Sequence, residues 1–418
     1  MNTFTGGTGN DNFDGSLSSA GTQTWASSDV LAGGTGTDTL TAAILASNLS
    51  TSNITGIEKF EVTTTGTATI NMAGTSGYTS LTNTGSSAAL AFNNISSAAV
   101  AGAIRNTTIA AGTFNFLASG LSGASDSFAL AVEGSNFGVT LTDTGSNALE
   151  TIAITTENAD ATITTLTITD LGATKITVAG SKALTVTTLT DGTTAGATVV
   201  NFDASAATGN VTIASNAVTG ALTMTGGAGN DVLTANGVAG TSLTGNAGND
   251  TFRMGTANTQ WDSSDTISGG TGNDTVQAEG ATTVVDADFT NVTSVEKLAS
   301  GSTAGDALTA VTLSTLAKAA GIVSVVGGTG ADVVTFLSAY DATSVDVTLG
   351  AIVAGTNDNI SVSGTSATLT VRATETELDA GDTITGGTGT ADELIVTGDA
   401  GAASLDGERV SRILCKRR

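Results

Sequence analysis

The chain has 418 residues, of which 38 are acidic and 13 are basic, so its formal net charge at pH 7 is −25. This charge disfavours nucleic acid or an anionic membrane as a partner, because phosphate groups would repel the chain. The absence of histidine excludes Ser-His-Asp and Cys-His arrangements and His-Glu-x-x-His zinc sites, which leaves a pair of carboxylates as the enzymatic alternative. We therefore predict that the protein is not an enzyme.

The balance of residue types predicts a folded chain with a thin core. Hydrophobic residues make up 39% of the sequence and charged residues 12%, unlike a disordered acidic tail. Only 4% of the residues are aromatic, so we expect stacked aliphatic strips rather than one large core. A single cysteine, Cys415, excludes an internal disulfide. No apolar run is long enough to span a membrane, and residues 1–5 lack the segments of a cleavable export signal.

Seven glycine-rich turns that end in an aspartate recur along the chain, with the pattern Gly-Gly-x-Gly-x-Asp-x-apolar. Asn246 replaces the second glycine of the fourth turn, and the seventh turn has one extra residue before Asp392. Glycines permit the positive φ angles that bring carbonyl oxygens together, and the aspartate adds a hard anionic oxygen, so each turn suits calcium as half of an ion cage. The apolar residue two places after the aspartate predicts a short strand that faces the core.

The spacing of the aspartates predicts how the half-cages combine. Asp11, Asp29 and Asp38 are separated by 18 and 9 residues, so we expect aspartates at multiples of nine to close each cage. Asp332 has no aspartate nine residues before it, which predicts a borrowed ligand or a turn without an ion. The predicted metal ligands are Gly6, Gly9, Asp11, Asp29, Gly33, Gly36, Asp38, Gly226, Gly229, Asp231, Gly245, Gly248, Asp250, Asp265, Gly269, Gly272, Asp274, Gly327, Gly330, Asp332, Asp382, Gly386, Gly389 and Asp392.

A longer repeat relates residues 2–62 to residues 241–300, since both contain a Gly-Asn-Asp-x-Phe turn, a tryptophan segment and an Ile/Val-Glu-Lys strand. The two tryptophans, Trp25 and Trp261, fit either a sugar-stacking platform or a buried lid, and we favour the lid. The glutamate-lysine pairs at Glu58 and Glu296 are interpreted as surface pairs.

Between these modules, Thr/Ala-rich runs such as residues 162–169 alternate polar and apolar residues and predict β-strands. Their Thr-x-Thr pattern is typical of a sheet with one polar face, and an ice-binding array is the alternative. Helix is expected only near residues 313–320 and, more weakly, 98–105. We divide the chain into a calcium-turn module (1–62), a Thr/Ala-rich β-strand region (63–225), a calcium-turn β-roll module (226–300), a β-strand region with calcium turns (301–400) and a basic tail (401–418).

These turns resemble the RTX (repeats-in-toxin) family, whose nonapeptides form a right-handed parallel β-roll with calcium between successive turns on each edge. The strands at residues 201–213 and 221–227 resemble those of calcium-dependent RTX-type bacterial S-layer proteins. The resemblance implies an all-β fold of parallel β-roll or β-solenoid segments with Thr-rich strand repeats, and Ca²⁺ as the bound ion. It also implies export through an uncleaved C-terminal signal, from which the basic tail departs.

The resemblance further implies a secreted structural protein that self-assembles into a cell-surface layer or filament. Millimolar external calcium would neutralise the turn aspartates and order the strands. The expected partners are other copies of the chain, with cell-surface polysaccharide as a further candidate, and no nucleic acid or membrane insertion. A fragment of an RTX adhesin that binds glycan or another surface is the alternative.

Overall fold

A computed structural model describes residues 1–106, 111–123, 125–143, 149–169, 175–191, 201–214, 220–235, 237–238, 240–254, 261–350, 357–374, 377–378, 381–388 and 391–397. Within these ranges almost all regular elements are β-strands. Every strand pair whose residue register is known is parallel. The predicted all-β solenoid fold is thereby confirmed. The predicted basic tail, residues 401–418, and Gly389 lie outside the described residues.

Packing divides the chain into two units, Met1–Thr223 and Met224–Arg418, and the finer division into five regions stays a prediction. The first unit contains β1 (Thr3–Thr5), β2 (Asn12–Gly15), β3 (Val30–Ala32), β4 (Thr39–Ile44), β5 (Asn48–Ser50), β6 (Ile54–Thr55), β7 (Lys59–Thr64), β8 (Ala68–Asn71), β9 (Ser80–Thr84), β10 (Leu90–Ile95), β11 (Ala101–Arg105), β12 (Gly112–Phe116), β13 (Ser127–Asp143), β14 (Thr151–Thr169), β15 (Lys175–Gly180), β16 (Leu184–Val186), β17 (Leu189–Asp191), β18 (Asn201–Ala207) and β19 (Val211–Ala214), with short 3₁₀ helices at Met72–Gly74 and Ala118–Gly120.

The division falls within β20 (Thr223–Thr225). The second unit continues with β21 (Val232–Thr234), β22 (Ser242–Ala247), β23 (Thr251–Met254), β24 (Thr266–Thr271), β25 (Thr275–Ala278), β26 (Ala281–Val285), β27 (Val292–Thr293), β28 (Lys297–Ser300), β29 (Ala307–Leu313), α1 (Thr315–Ala320), β30 (Ser324–Val326), β31 (Val333–Phe336), β32 (Ser344–Thr348), β33 (Asn359–Ser361), β34 (Thr368–Thr374), β35 (Thr383–Thr385) and β36 (Glu393–Thr397), with a 3₁₀ helix at Asp286–Phe289.

In each unit, successive strands stack on one another as the rungs of a parallel solenoid. In the first unit, β2, β4, β7 and β9 pair in that order. In the second unit, β21, β23, β25 and β28 form one such stack, and β26, β29, β31, β33 and β35 form a separate five-stranded sheet. Because each strand pairs with the equivalent strand of the next rung, the corners between strands also stack, and the glycine-rich turns occupy some of these corners.

The apolar residue that follows each glycine-rich turn enters a registered column in the core. Phe13 lies opposite Leu40, and Leu40 opposite Phe60 in the first unit. Leu233 lies opposite Phe252 in the second unit. The side chains of Leu40, Phe60, Leu233 and Phe252 are at most 1% exposed, so the strand predicted from the turn motif is confirmed at these positions. Buried strips of this kind stabilise a solenoid rung by rung.

Three features of the fold refine the sequence-based expectations. Helix α1 confirms the predicted helix at residues 313–320, whereas residues 101–105 form strand β11, because a registered parallel partner on each side overrides the weak helical preference. The few aromatic rings cluster, as Phe92 stacks on Phe114 with centroids 5.8 Å apart. Trp25 and Trp261 are 4% and 7% exposed, which agrees with buried lids rather than sugar platforms. No described helix is long and apolar enough to cross a membrane.

Candidate calcium sites

The glycine-rich turns of the first module stack, and a backbone hydrogen bond links each acidic side chain to the rung before it. The N–H of Asp11 donates to Oδ1 of Asp38 at 2.7 Å, and the N–H of Asp38 donates to Oε2 of Glu58 at 2.7 Å. The acidic groups therefore form a single column, here called the carboxylate ladder, along one corner of the unit.

The second unit repeats this ladder with one more member. The N–H of Asp231 donates to Asp250, that of Asp250 to Asp274, and that of Asp274 to Glu296, each at 2.8 Å. The two ladders end in the same way, on a glutamate of a rung that has no complete glycine motif. The predicted relation between residues 2–62 and 241–300 therefore extends to hydrogen bonds that the sequence comparison did not use.

The predicted spacing of stacked aspartates by multiples of nine holds for the step of 27 residues from Asp11 to Asp38 and not for the other steps. Neighbouring members of the ladders are 19 to 27 residues apart, because each rung holds two or more strands and, in the first module, the Trp25 segment. Asp29 lies at a different corner from Asp38, since β3 separates them within one rung. Its two oxygens accept the N–H groups of Asn2 and Ala26, and Asp265 accepts those of Thr241 and Asp262. A ligand role for Asp29 and Asp265 stays a prediction.

The first glycine of each stacked turn borders a small oxygen-lined space, here called a cradle. A Cβ placed on Gly6 would lie within 3.0 Å of both Oδ2 of Asp11 and the carbonyl oxygen of Gly33 in the next rung. The carboxylate oxygen and the carbonyl oxygen thus converge on one small space beside Gly6, and both are of the kind that binds calcium. The same pairing of own-turn carboxylate and next-rung carbonyl occurs at five first glycines of the described residues: Gly6, Gly33, Gly226, Gly245 and Gly269.

The third glycine of the stacked turns lets neighbouring rungs approach closely. Gly36 has a φ of 137°, and a Cβ there would overlap the carbonyl oxygen of Gly9. Gly272 has a φ of 148°, and a Cβ there would overlap the carbonyl oxygen of Gly248. An L-residue would meet both a strained backbone and a steric clash at either position. The carbonyl oxygens of one turn can therefore face the next turn at this spacing only where glycine stands.

The turns fall into two kinds, according to the second residue of the motif. In the turns called closed here, the N–H of that residue donates to Oδ2 of its own aspartate, as Gly7 does to Asp11 at 2.7 Å and Gly227 to Asp231 at 2.6 Å. In the open turns the second residue has a positive φ, and Oδ2 of the aspartate is buried with no hydrogen-bond partner. The open turns end at Asp38, Asp250 and Asp274.

A buried carboxylate oxygen without a hydrogen-bond partner destabilises the fold unless a proton or a cation neutralises it, because burying an unpaired charge costs free energy. Burial raises the pKa of Asp250 to about 7, and the neighbouring carboxylates of Asp231 and Asp274 add to this rise against the hydrogen bond from the Asp231 N–H. Burial also raises the pKa of Asp274, again with a contribution from Glu296. A divalent cation bound by oxygen ligands would supply the missing positive charge, so the open turns fit calcium.

We expect the calcium-free protein to become more stable as the pH falls from 8 to 6. The pKa of Asp250 is raised to about 7 in the fold, so the folded state binds a proton in this range that the unfolded state, with its lower pKa, does not bind. Urea unfolding in chelator at several pH values would measure the slope, and Asp250→Asn should reduce it. A free energy of unfolding that falls with decreasing pH in this range would contradict the assignment.

Of the two remaining predicted turns, the one that ends at Asp332 belongs to another aspartate column of the second unit, together with Asp358 and Asp382. The N–H of Asp332 donates to Asp358 and that of Asp358 to Asp382, at 2.8 and 2.9 Å. A Cβ on Gly327 would meet Oδ2 of Asp332, but its nearest atom from another rung is the nitrogen of Gly350, at 3.1 Å. At Gly327 the facing atom is therefore a backbone nitrogen and not the carbonyl oxygen that faces the cradles.

Two further aspartates, Asp392 and Asp306, lie outside these columns. Asp392 accepts the N–H groups of Leu369 and Gly387, at 2.9 and 3.1 Å, and its turn is therefore closed. Sequence reasoning missed Asp306, although its distance from Gly301 equals the distance from Gly6 to Asp11. Asp306 accepts the N–H of Gly280 at 2.8 Å. In the described ranges no cluster of three or more acidic or cysteine side chains is placed to hold a metal, so the cradles rely on backbone carbonyls as well as carboxylates.

Parallel rungs with stacked glycine–aspartate corners define a calcium-binding β-roll as the class of this protein. A family model described as the RTX calcium-binding nonapeptide repeat matches the chain in four copies, at residues 2–18, 25–43, 223–237 and 262–282. The chain therefore contains RTX calcium-binding repeats, and Ca²⁺ is the ion of this repeat family. No curated protein matches the chain. The four copies include the turns that end at Asp11, Asp38, Asp231 and Asp274.

Proposed function

We propose that this chain is a secreted structural protein that self-assembles in calcium into a layer or filament at the cell surface. Proteins with RTX repeats are typically secreted and are structural or toxin-like. The fold is consistent with a structural role. It consists of stacked rungs, and the acidic side chains of the ladders form hydrogen bonds with the backbone of neighbouring rungs. The observation that carries the proposal is a patch of outward alanine side chains in the first unit, the alanine face, which consists of Ala129, Ala131 and Ala153.

The alanine face lies on the neighbouring strands β13 and β14. Ala129 is opposite Ala153, and Ala131 is two residues after Ala129 on the same strand, so the three methyl groups form a small array. Ala129 is exposed, and Ala131 and Ala153 are half-buried. Such short side chains allow another sheet to approach at the ~10 Å separation of packed sheets. In a chain with a net charge of −25, a patch of uncharged methyl groups is suited to contact between copies.

Calcium would couple folding to assembly through the open turns. The bound ion would supply positive charge where Asp38, Asp250 and Asp274 each present an orphaned oxygen. Other contacts within the chain stabilise the rungs without an ion. The ladder carboxylates accept the N–H groups of the preceding rung, and the aspartates of the closed turns accept an N–H group of their own turn. Ordered rungs then present the alanine face as a flat surface.

We expect purified protein to form ordered sheets or filaments when calcium is raised from chelator to millimolar concentration, with magnesium as the control. Light scattering and electron microscopy would follow assembly. Ala153→Glu should abolish assembly by placing bulk and negative charge on the alanine face, while calcium binding stays unchanged. Thr167→Glu, on an outward position of the same strand but outside the alanine face, is the matched control and should still assemble.

The outcomes separate the competing functions. Calcium-dependent folding without assembly would replace the proposal with a fragment of an RTX adhesin, in which one face binds glycan or another surface. Assembly that is equally lost in Ala153→Glu and Thr167→Glu would refute the role of the alanine face but not self-assembly itself.

A further inference from the structure

The rung that follows each complete turn column ends in a glutamate and lacks the glycine motif. In the first module this rung has Gly56-Ile57-Glu58, and in the second it has Ser294-Val295-Glu296. Both segments lie outside the matched RTX repeats. Each nevertheless forms the far wall of a cradle, because the carbonyl oxygen of Gly56 faces Gly33 and that of Ser294 faces Gly269.

The two cradles share the same backbone geometry although their residues differ. Gly56 has a φ of 59° and Ser294 a φ of 52°, so both stand in the left-handed region. This conformation is unfavourable for a serine and is uncommon outside glycine, asparagine and aspartate. Its presence at Ser294 indicates that the surrounding rung fixes the direction of the carbonyl oxygen, which points toward the space beside Gly269.

An orphaned carboxylate oxygen faces each of these carbonyl oxygens. Asp38 and Asp274 are fully buried, and Oδ2 of each has no hydrogen-bond partner. Each Oδ2 lies within 3.0 Å of the point that a Cβ on Gly33 or Gly269 would occupy, and the carbonyl oxygen from the next rung lies within 3.0 Å of the same point. Two of the three open turns therefore face a glutamate rung, not another glycine motif.

Glu58 and Glu296 each hold a second carboxylate one hydrogen bond away from the backbone of the orphaned aspartate. Oε2 of Glu58 accepts the Asp38 N–H at 2.7 Å, and Oε2 of Glu296 accepts the Asp274 N–H at 2.8 Å. Among the described residues neither glutamate forms an ion pair with a lysine or arginine, which corrects the predicted pairing with the adjacent lysines. The longer side chain of glutamate reaches the position that an aspartate occupies in a complete turn.

We propose that each glutamate rung completes a divalent-cation site of calcium type, one held by Asp38, Glu58 and the Gly56 carbonyl, the other by Asp274, Glu296 and the Ser294 carbonyl. Each column thus binds one more ion than its complete glycine motifs alone would provide. A terminal glutamate lets the column end on a rung with no following motif while its last aspartate is still neutralised. These sites do not depend on self-assembly.

Calcium titration by calorimetry on the full chain would test the proposal with Glu58→Gln, Glu296→Gln and the double variant. Glutamine keeps an oxygen that accepts the Asp38 or Asp274 N–H, so the ladder hydrogen bond survives and only the charge is lost. Each single variant should bind one calcium fewer, or bind one ion about tenfold or more weakly, because affinity follows the number of charged ligands. The double variant should lose two.

Glu61→Gln, three residues after Glu58 and on β7, is the matched control and should leave the number of bound ions unchanged. Asp38→Asn combined with Glu58→Gln should remove no more ions than either change alone, since both residues serve one site. Unchanged number and affinity of bound ions in Glu58→Gln and Glu296→Gln would overturn the proposal. Because binding is measured directly, that result differs from a failure of calcium-induced assembly.

Discussion

Gly36→Ala should destabilise the first module severely, by about 3 kcal/mol or more, because two penalties add at one position. The φ of 137° is unfavourable for alanine, and its Cβ would overlap the Gly9 carbonyl oxygen. The overlapping atom belongs to the backbone of a neighbouring rung, so no side-chain rotation can relieve the clash. Thermal or urea unfolding in saturating calcium would measure the loss of stability.

Gly9→Ala is the matched control, because Gly9 is the third glycine of the preceding turn. A Cβ at Gly9 would have no atom within 4 Å, and Gly9 is not among the residues with a positive φ. We expect a change within about 0.5 kcal/mol, as at an ordinary surface position. Equal destabilisation by Gly9→Ala and Gly36→Ala would show that the glycines act through chain flexibility and not through the stacking of rungs.

Removal of calcium should have the other large effect. At a free calcium concentration of ten times Kd, each independent site contributes about 1.4 kcal/mol, so five cradles contribute about 7 kcal/mol. This is comparable to the total stability of many domains, ~5–15 kcal/mol. We therefore expect chelation to unfold or strongly loosen the calcium-turn modules at 25 °C. Far-UV circular dichroism and urea unfolding, with calcium or with chelator, would measure the difference.

Magnesium at the same concentration should restore little of this stability. Magnesium requires near-ideal octahedral geometry at ~2.0–2.1 Å and releases its water reluctantly, whereas the cradles present backbone carbonyls at fixed spacings set by the rungs. Equal stabilisation by both ions would indicate general screening of the acidic chain. Calcium-independent stability would contradict the assignment of the cradles as ion sites.

Much of the fold followed from the turn motif. Glycines with an aspartate in register predicted the corners, and the apolar residue two places later predicted two core columns, through Leu40 in the first unit and through Phe252 in the second. Both are local properties of the chain. The length of a rung is not local, because it depends on which strands pair. The step from Asp29 to Asp38 looked like a stacking distance but is the length of one strand and one turn.

The glutamate rungs were missed because they lack the Gly-Gly-x-Gly motif, and because the ladder depends on backbone positions that the side-chain pattern does not encode. A usable signal was present, since an Ile/Val-Glu-Lys segment follows the last complete turn in both modules, at Glu58 and at Glu296. The difference between open and closed turns also could not be predicted from the sequence. It depends on the φ of the second residue, which is glycine in the closed turn at Gly7 and in the open turn at Gly34.

The closed turn at the start of each ladder has a consequence for the order of folding. Asp11 and Asp231 pair with the N–H groups of their own turns and need no ion to do so, whereas the next aspartate along each ladder does. In a stack whose rungs contact only their neighbours, structure spreads from wherever the first rung forms. The closed turns can therefore act as nuclei, and refolding started by calcium should advance from Asp11 toward Glu58 and from Asp231 toward Glu296.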